Sequence, residues 1–175
     1  MLKLLAKESR LSKQHLEILW SNCIARHEEI ERATLEVVQE LAAELPLDQL
    51  EFLCVKVNSV PVKEYDEKMV RFLKKFTLGC MTNINTDRPE SGGFFQQTFS
   101  IFSRSKKVKD KDVTKYYQLD KFWAVWQEDS LAAQVKEAAL KGLIELLDTE
   151  ECPTEQPLKF LNFALENFKK VRSPC

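Results

Sequence analysis

The chain is poor in the residues that make turns. Its 175 residues include only four Gly and six Pro, which leaves few of the tight reversals that a many-stranded fold needs. Neither charge is in excess, since twenty-six Lys and Arg stand against twenty-seven Asp and Glu for a net charge of −1. The global positive field behind non-specific nucleic-acid binding is therefore missing, and no nucleic-acid role is expected. No apolar run approaches the ~20 residues that span a bilayer, so membrane insertion is not expected and only surface association stays open. The opening Met1-Leu2-Lys3-Leu4-Leu5-Ala6-Lys7 is interrupted by Lys7, Glu8 and Arg10 before a signal-peptide core could form, and it reads as a frayed helix.

Catalytic constellations are missing as well. The two histidines, His15 and His27, fall at the starts of the first and second expected helices. Neither has an Asp or Cys at triad or metal-site spacing, so surface or capping roles are expected. No G-x-S-x-G, H-E-x-x-H, Walker or G-x-G-x-x-G pattern occurs, and Ser91-Gly92-Gly93 lacks the flanking strand and helix that phosphate cradling requires. No cofactor, metal or small-molecule substrate is expected, and no residue is assigned a catalytic role. The five cysteines (Cys23, Cys54, Cys80, Cys152, Cys175) are odd in number, scattered and never arranged as C-x-x-C. That pattern predicts free thiols in a reducing compartment, cytosol or nucleus. Cys80 follows Gly79 as a nucleophile often follows a small turn residue, but the chain holds no histidine after His27 to activate it. A buried structural cysteine is expected there. Paired carboxylates such as Glu28-Glu29 and Glu150-Glu151 suit solvated faces and helix N-termini. The Lys106 to Lys111 cluster has the pattern of an acidic-partner site or a nuclear-import signal, diluted by Asp110 and Asp112.

What the chain has in quantity is bulky apolar mass, with eleven Phe and three Trp, enough for one continuous core. Apolar residues recur at three- and four-residue spacing: Leu16, Leu19, Trp20, Cys23; then Ile30, Ala33, Val37, Leu41, Leu45; then Leu47, Leu50, Cys54, Val57. After Pro61 the stripe resumes as Tyr65, Met69, Phe72, Phe76, and the second half continues with Leu119, Phe122, Trp123, Trp126, with Val135, Ala139, Gly142, Leu146, and with Leu158, Leu161, Leu165, Phe168. This is helical period throughout and predicts an all-α fold of seven substantial helices. Ser12 and Ser130 are expected to cap helix starts, and Pro46 and Pro157 suit first turns, where a missing N–H costs little. Short polar joints at Ala25-Arg26-His27 and Gln127-Glu128-Asp129 fold consecutive helices back as hairpins.

The two halves are alike. Leu16-Glu17-Ile18-Leu19-Trp20 matches Leu119-Asp120-Lys121-Phe122-Trp123 at an offset of 103; Ala33-Thr34-Leu35 with Leu41 matches Ala138-Ala139-Leu140 with Leu146 at 105; Pro46-Leu47 with Leu50 and Phe52 matches Pro157-Leu158 with Leu161 and Phe163 at 111. The extra residues fall in joints, where insertions are tolerated. Leu and Trp at helical spacing are easy to match by chance, but a recurring three-helix unit predicts an armadillo- or HEAT-like α-solenoid, in which each unit hides its apolar face on a neighbour. Two copies fall short of the three usually needed, which predicts that the chain, a single helical-repeat domain over 1–175, is part of a longer array. Its expected parts are a first repeat block at 12–82, a long, partly disordered loop at 83–115 and a second block at 116–172. Within that loop Phe94, Phe95, Phe99 and Phe102 form an aromatic segment. It either folds back onto the helices, as the avoidance of exposed aromatic patches favours, or docks a partner, and these four residues are the candidate binding residues.

The runs His15-Leu16-Glu17-Ile18-Leu19-Trp20, His27-Glu28-Glu29-Ile30 and Leu47-Asp48-Gln49-Leu50-Glu51-Phe52-Leu53 come in an order and spacing that resembles the helical region ahead of the catalytic domain in very large ubiquitin-specific proteases of the fat-facets type. The run from Leu119 to Trp126, with Ala138-Ala139-Leu140 and Leu146-Leu147-Asp148, resembles the next stretch of that region. The resemblance implies an armadillo-type fold from a multi-domain thiol protease that removes ubiquitin, with this part positioning substrates or adaptors. The family's Cys box around G-N-T-C-Y and its His box have no counterpart here, so no catalytic residue carries over. A helical-repeat adaptor or trafficking scaffold unrelated to ubiquitin fits the same periodicity. An independent small enzyme would need a polar cleft that the sequence gives no reason to expect.

Overall fold

A computed structural model of the chain describes residues 11–24, 28–86 and 115–172. Among them every regular element is helical: α1 (Lys13–Ile24), α2 (Glu28–Leu41), α3 (Leu47–Ser59), a 3-10 turn (Val62–Glu64), α4 (Glu67–Thr86), α5 (Leu119–Gln127), α6 (Ala133–Leu147) and α7 (Glu155–Arg172). The expected all-α fold and its seven helices are therefore present. The opening seven residues and the joint Ala25-Arg26-His27 lie outside the described residues.

Local chemistry sets the helix ends. The Ser12 hydroxyl accepts the His15 N–H at 3.3 Å, and the Ser12 N–H donates to His15 Nδ1 at 3.1 Å. This reciprocal pair is a capping box in which imidazole takes the usual carboxylate position. Three glutamates, Glu28, Glu29 and Glu31, occupy the first turn of α2, the favourable end for negative charge. Pro46 stands at the N-cap of α3, and Pro157 is the third residue of α7. Asp66, which the sequence did not single out, caps α4 by accepting the Met69 N–H at 2.7 Å. Ser130 does not cap α6. It donates its hydroxyl to Glu128 Oε1 at 2.7 Å, and the helix begins three residues later, at Ala133, behind an Ala132 N-cap without a side-chain hydrogen bond. Gln118, before α5, is a non-glycine residue with positive φ (50°), a conformation that costs an L residue roughly 1–2 kcal/mol.

Helix α4 runs on to Thr86, past position 83 where the loop was expected. The reason lies in Asn83: its side-chain amide is buried and donates to the carbonyls of Ala42 and Leu45, both at 2.9 Å. Those carbonyls sit at the C-terminal end of α2, where backbone acceptors lack helical partners. The turn-forming character of Asn83 is thus used to tie two helices together, and Ile84 is buried beside it.

Helix α1 packs on α2 and α3, α2 on α4, α4 on α6, and α6 on α5. Side-chain contacts give the directions. Lys68 at the start of α4 reaches Glu31 and Glu28 at the start of α2, and the ends meet where a methyl group on Gly79 would lie 3.0 Å from Ala42 Cβ and 3.3 Å from the Gln39 carbonyl. The missing Cβ lets α2 and α4 approach closely, and they run the same way. In α4 and α6, Lys74 bonds Glu145 and Asn85 bonds the Glu151 carbonyl just past α6, again in parallel order. On the other helices Lys13 meets Asp48 and Glu17 meets Lys56 between α1 and α3. Lys115 meets Glu51, and Lys121 reaches the Asn58 and Val60 carbonyls, between the α5 approach and α3. Asp120 meets Lys159 between α5 and α7.

Burial follows the expected stripes at Leu16, Trp20, Cys23, Leu41, Leu45, Leu50, Cys54, Val57 and Phe76, which are all in the core, but the first part of the α2 stripe departs from it: Ile30 is 45% exposed, Ala33 is exposed and Val37 is half-buried. The last stripe departs from expectation further. Leu158, Leu161 and Leu165 of α7 are 62%, 55% and 49% exposed, while Phe160 is buried instead.

Candidate interaction surfaces

Cys80 is fully buried on α4, and burial first, then the neighbouring Cys54 side chain, pushes its thiol well above the ordinary range. A nucleophile must be a thiolate, so this environment opposes the role. Burial, with Glu31 as a secondary cause, pushes Cys23 up to about 12, and burial with Glu155 pushes Cys152 up to about 11. The four described cysteines, Cys23, Cys54, Cys80 and Cys152, are all free thiols. His15 is engaged at the α1 cap, and His27 lies outside the described residues. Among the described residues no three His, Cys, Asp or Glu side chains gather as metal ligands, and no helix is long and apolar enough to cross a membrane.

Phe94, Phe95, Phe99 and Phe102, the candidate binding residues read from the sequence, lie outside the described residues, as do Ser91-Gly92-Gly93 and the Lys106 to Lys111 cluster.

The described surface offers three features. A shallow depression between α1 and α2 is lined by Leu19, Ile30, Ala33 and Val37. A charged cleft runs between α2 and α4, where Arg32, Lys68, Arg71, Lys74 and Lys75 surround Glu36. The third feature is the exposed α7 stripe. Leu158, Leu161 and Leu165 stand at i, i+3 and i+7 and so share one helix face. On its other side that helix meets α5 through rings and one ion pair. The Trp123 ring centroid is 5.8 Å from both Phe160 and Phe163 and 4.8 Å from Trp126. Lys159 lies 5.2 Å from the Phe160 centroid while bonded to Asp120 at 2.6 Å. Ring contacts of this kind are worth about 0.5–1.5 kcal/mol each beyond area burial.

The sequence did not single out this face, because its leucines have the spacing of a core stripe. The match of α7 to α3 pointed the other way, since the corresponding residues Leu50 and Cys54 are 0% and 4% exposed. Cys54 is covered by Cys80 of α4 and by the Tyr116 carbonyl, 4.0 Å from its Sγ.

No family model, curated protein or solved structure matches this chain.

Proposed function

We propose that the chain is a non-catalytic protein-binding scaffold, an armadillo/HEAT-like α-solenoid of antiparallel helix hairpins. It would belong to the helical-repeat region of a large ubiquitin-specific protease, where it positions substrates or adaptors for ubiquitin removal in the cytosol or nucleus. The observation that carries the scaffold reading is the order of the side-chain contacts: α2 and α4 meet start to start and end to end, and the contacts between α4 and α6, α1 and α3, α3 and α5, and α5 and α7 advance in the same direction along both helices of each pair. Two sets of parallel helices are what repeat stacking produces. The protease connection rests on the order of the H-L-x-x-L-W, H-E-x-I and D-Q-L-E-x-L runs at His15, His27 and Asp48. Thiols held protonated by burial suit a part that binds while the chemistry is done elsewhere.

Two measurements test the proposal. Small-angle scattering should give an elongated particle in the helical chain. A ubiquitin–amide reporter should remain intact on prolonged incubation with it; turnover that disappears in Cys80→Ala would overturn the non-catalytic reading.

A further inference from the structure

Helix α4 covers one side of α2, along Arg32, Leu35, Gln39 and Ala42. Another side is open among the described residues. Ile30, Ala33 and Val37 stand there at i, i+3 and i+7 and, with Leu19 of α1, line the shallow depression. The chain is pinned close to this face. Leu11, just ahead of the α1 cap, is buried, and its carbonyl accepts the Gln49 side-chain amide at the start of α3 at 2.6 Å. Lys13 meets Asp48 beside it, and only the short turn after Leu41 separates the start of α3 from the end of α2. Residues 1–10, which lie outside the described residues, therefore leave from beside the end of α2. Ten helical residues are about 15 Å long, and α2 rises about 16 Å between Ile30 and Leu41.

We infer that the depression is the docking site of the chain's own residues 1–10, which run as a helix in the direction of α2 and seat Leu2, Leu5 and Ala6 on Ile30, Ala33 and Val37. The inference rests on neither the protease reading nor the match between the two halves. At helical spacing Leu2, Leu5, Ala6 and Ser9 make one side of the segment, and Lys3, Lys7 and Arg10, at i, i+4 and i+7, make the side next to it. With the leucines on α2 and the direction fixed by Leu11, the basic side falls along the outer edge of α2. Glu29, Glu36 and Glu40 are exposed on that edge. The other described charges nearby are turned elsewhere: Glu28 and Glu31 meet Lys68, Arg32 lines the cleft against α4, Lys13 and Glu17 pair with α3, and His15 is held in its cap. On the segment Glu8 is the one acid against three bases. Connection decides between this occupant and a separate molecule. A segment joined directly to α1 acts at about millimolar effective concentration, far above that of a second copy or partner in dilute solution.

Hydrogen exchange of the full chain, read by mass spectrometry on its N-terminal peptide, tests the contact. Amides 5–10 should exchange about tenfold or more slowly than in a free peptide of residues 1–10. Ile30→Glu should abolish that protection, while Ile18→Glu, at an exposed α1 residue outside the depression, should leave it intact. From the other side, Leu5→Glu in the full chain should raise hydroxyl-radical oxidation of Ile30 and Val37 severalfold; this variant alters the segment and leaves the described helices untouched. Exchange as fast as in the free peptide, protection that survives Ile30→Glu or is lost equally in Ile18→Glu, or oxidation unchanged by Leu5→Glu would each overturn the inference. Protection that disappears on dilution of the protein would assign the face to a second copy and overturn it too.

Discussion

Helices α3 and α7 carry nearly the same message and meet different fates. Each begins with a proline near its N-terminus and follows with leucines at helical spacing. In α3 those leucines are enclosed, because α1, α4 and the approach to α5 close around them. In α7 they face outward, on a helix that meets α5 through Trp123 and Asp120. A hydrophobic stripe therefore specifies that a face wants a neighbour; whether it has one depends on the rest of the stack.

The largest expected contrast is between matched leucines. Leu50→Ala should destabilise the chain by about 3 kcal/mol, since a fully enclosed leucine leaves a cavity when truncated, whereas Leu161→Ala should stay within about 0.5 kcal/mol. Thermal or urea denaturation of both variants measures the gap; equal losses would mean that the α7 face is covered. The next contrast lies along α4. Asn83→Ala leaves two buried carbonyls of α2 without their donor and should cost about 2 kcal/mol. Asn85→Ala, which removes one bond to the Glu151 carbonyl in a half-buried setting, should cost about 1 kcal/mol. Helix starts give a third contrast: Ser12→Ala removes a working cap and should cost about 1 kcal/mol, while Ser130→Ala, which only loses contacts to Glu128, should be near neutral.

Thiol chemistry gives the smallest effects on stability and the sharpest on reactivity. At pH 8 the half-buried Cys152 should react with iodoacetamide far faster than Cys23 or Cys80, with modified sites read by mass spectrometry. The folded thiols hold their protons more tightly than the unfolded ones, whose ordinary value is 9.0. The unfolded chain therefore loses protons first as pH rises, and stability should decline above about pH 9. Below that pH these cysteines should leave stability unchanged.

Much of the fold was legible because the helical period persists through nearly the whole chain. Tyr65, Phe72 and Phe76 were expected in the core and are buried there. The end of α4 was not legible: Asn83-Ile84-Asn85 has turn composition, and only the neighbouring carbonyls of α2 make Asn83 a helical residue. Ser130 misled for the opposite reason, since Glu128, two residues away, captures its hydroxyl before the helix begins. The exposed α7 stripe was invisible because Leu161 and Leu50 look alike until the surrounding helices are known. The aromatic segment from Phe94 to Phe102 and the protease resemblance rest on sequence alone.

Hydroxyl-radical footprinting of the leucines tests the stacking most directly, because oxidation rates follow side-chain access to solvent. The account predicts that Leu158, Leu161 and Leu165 are oxidised severalfold faster than Leu50 and Leu53. Equal protection of the two sets would contradict it.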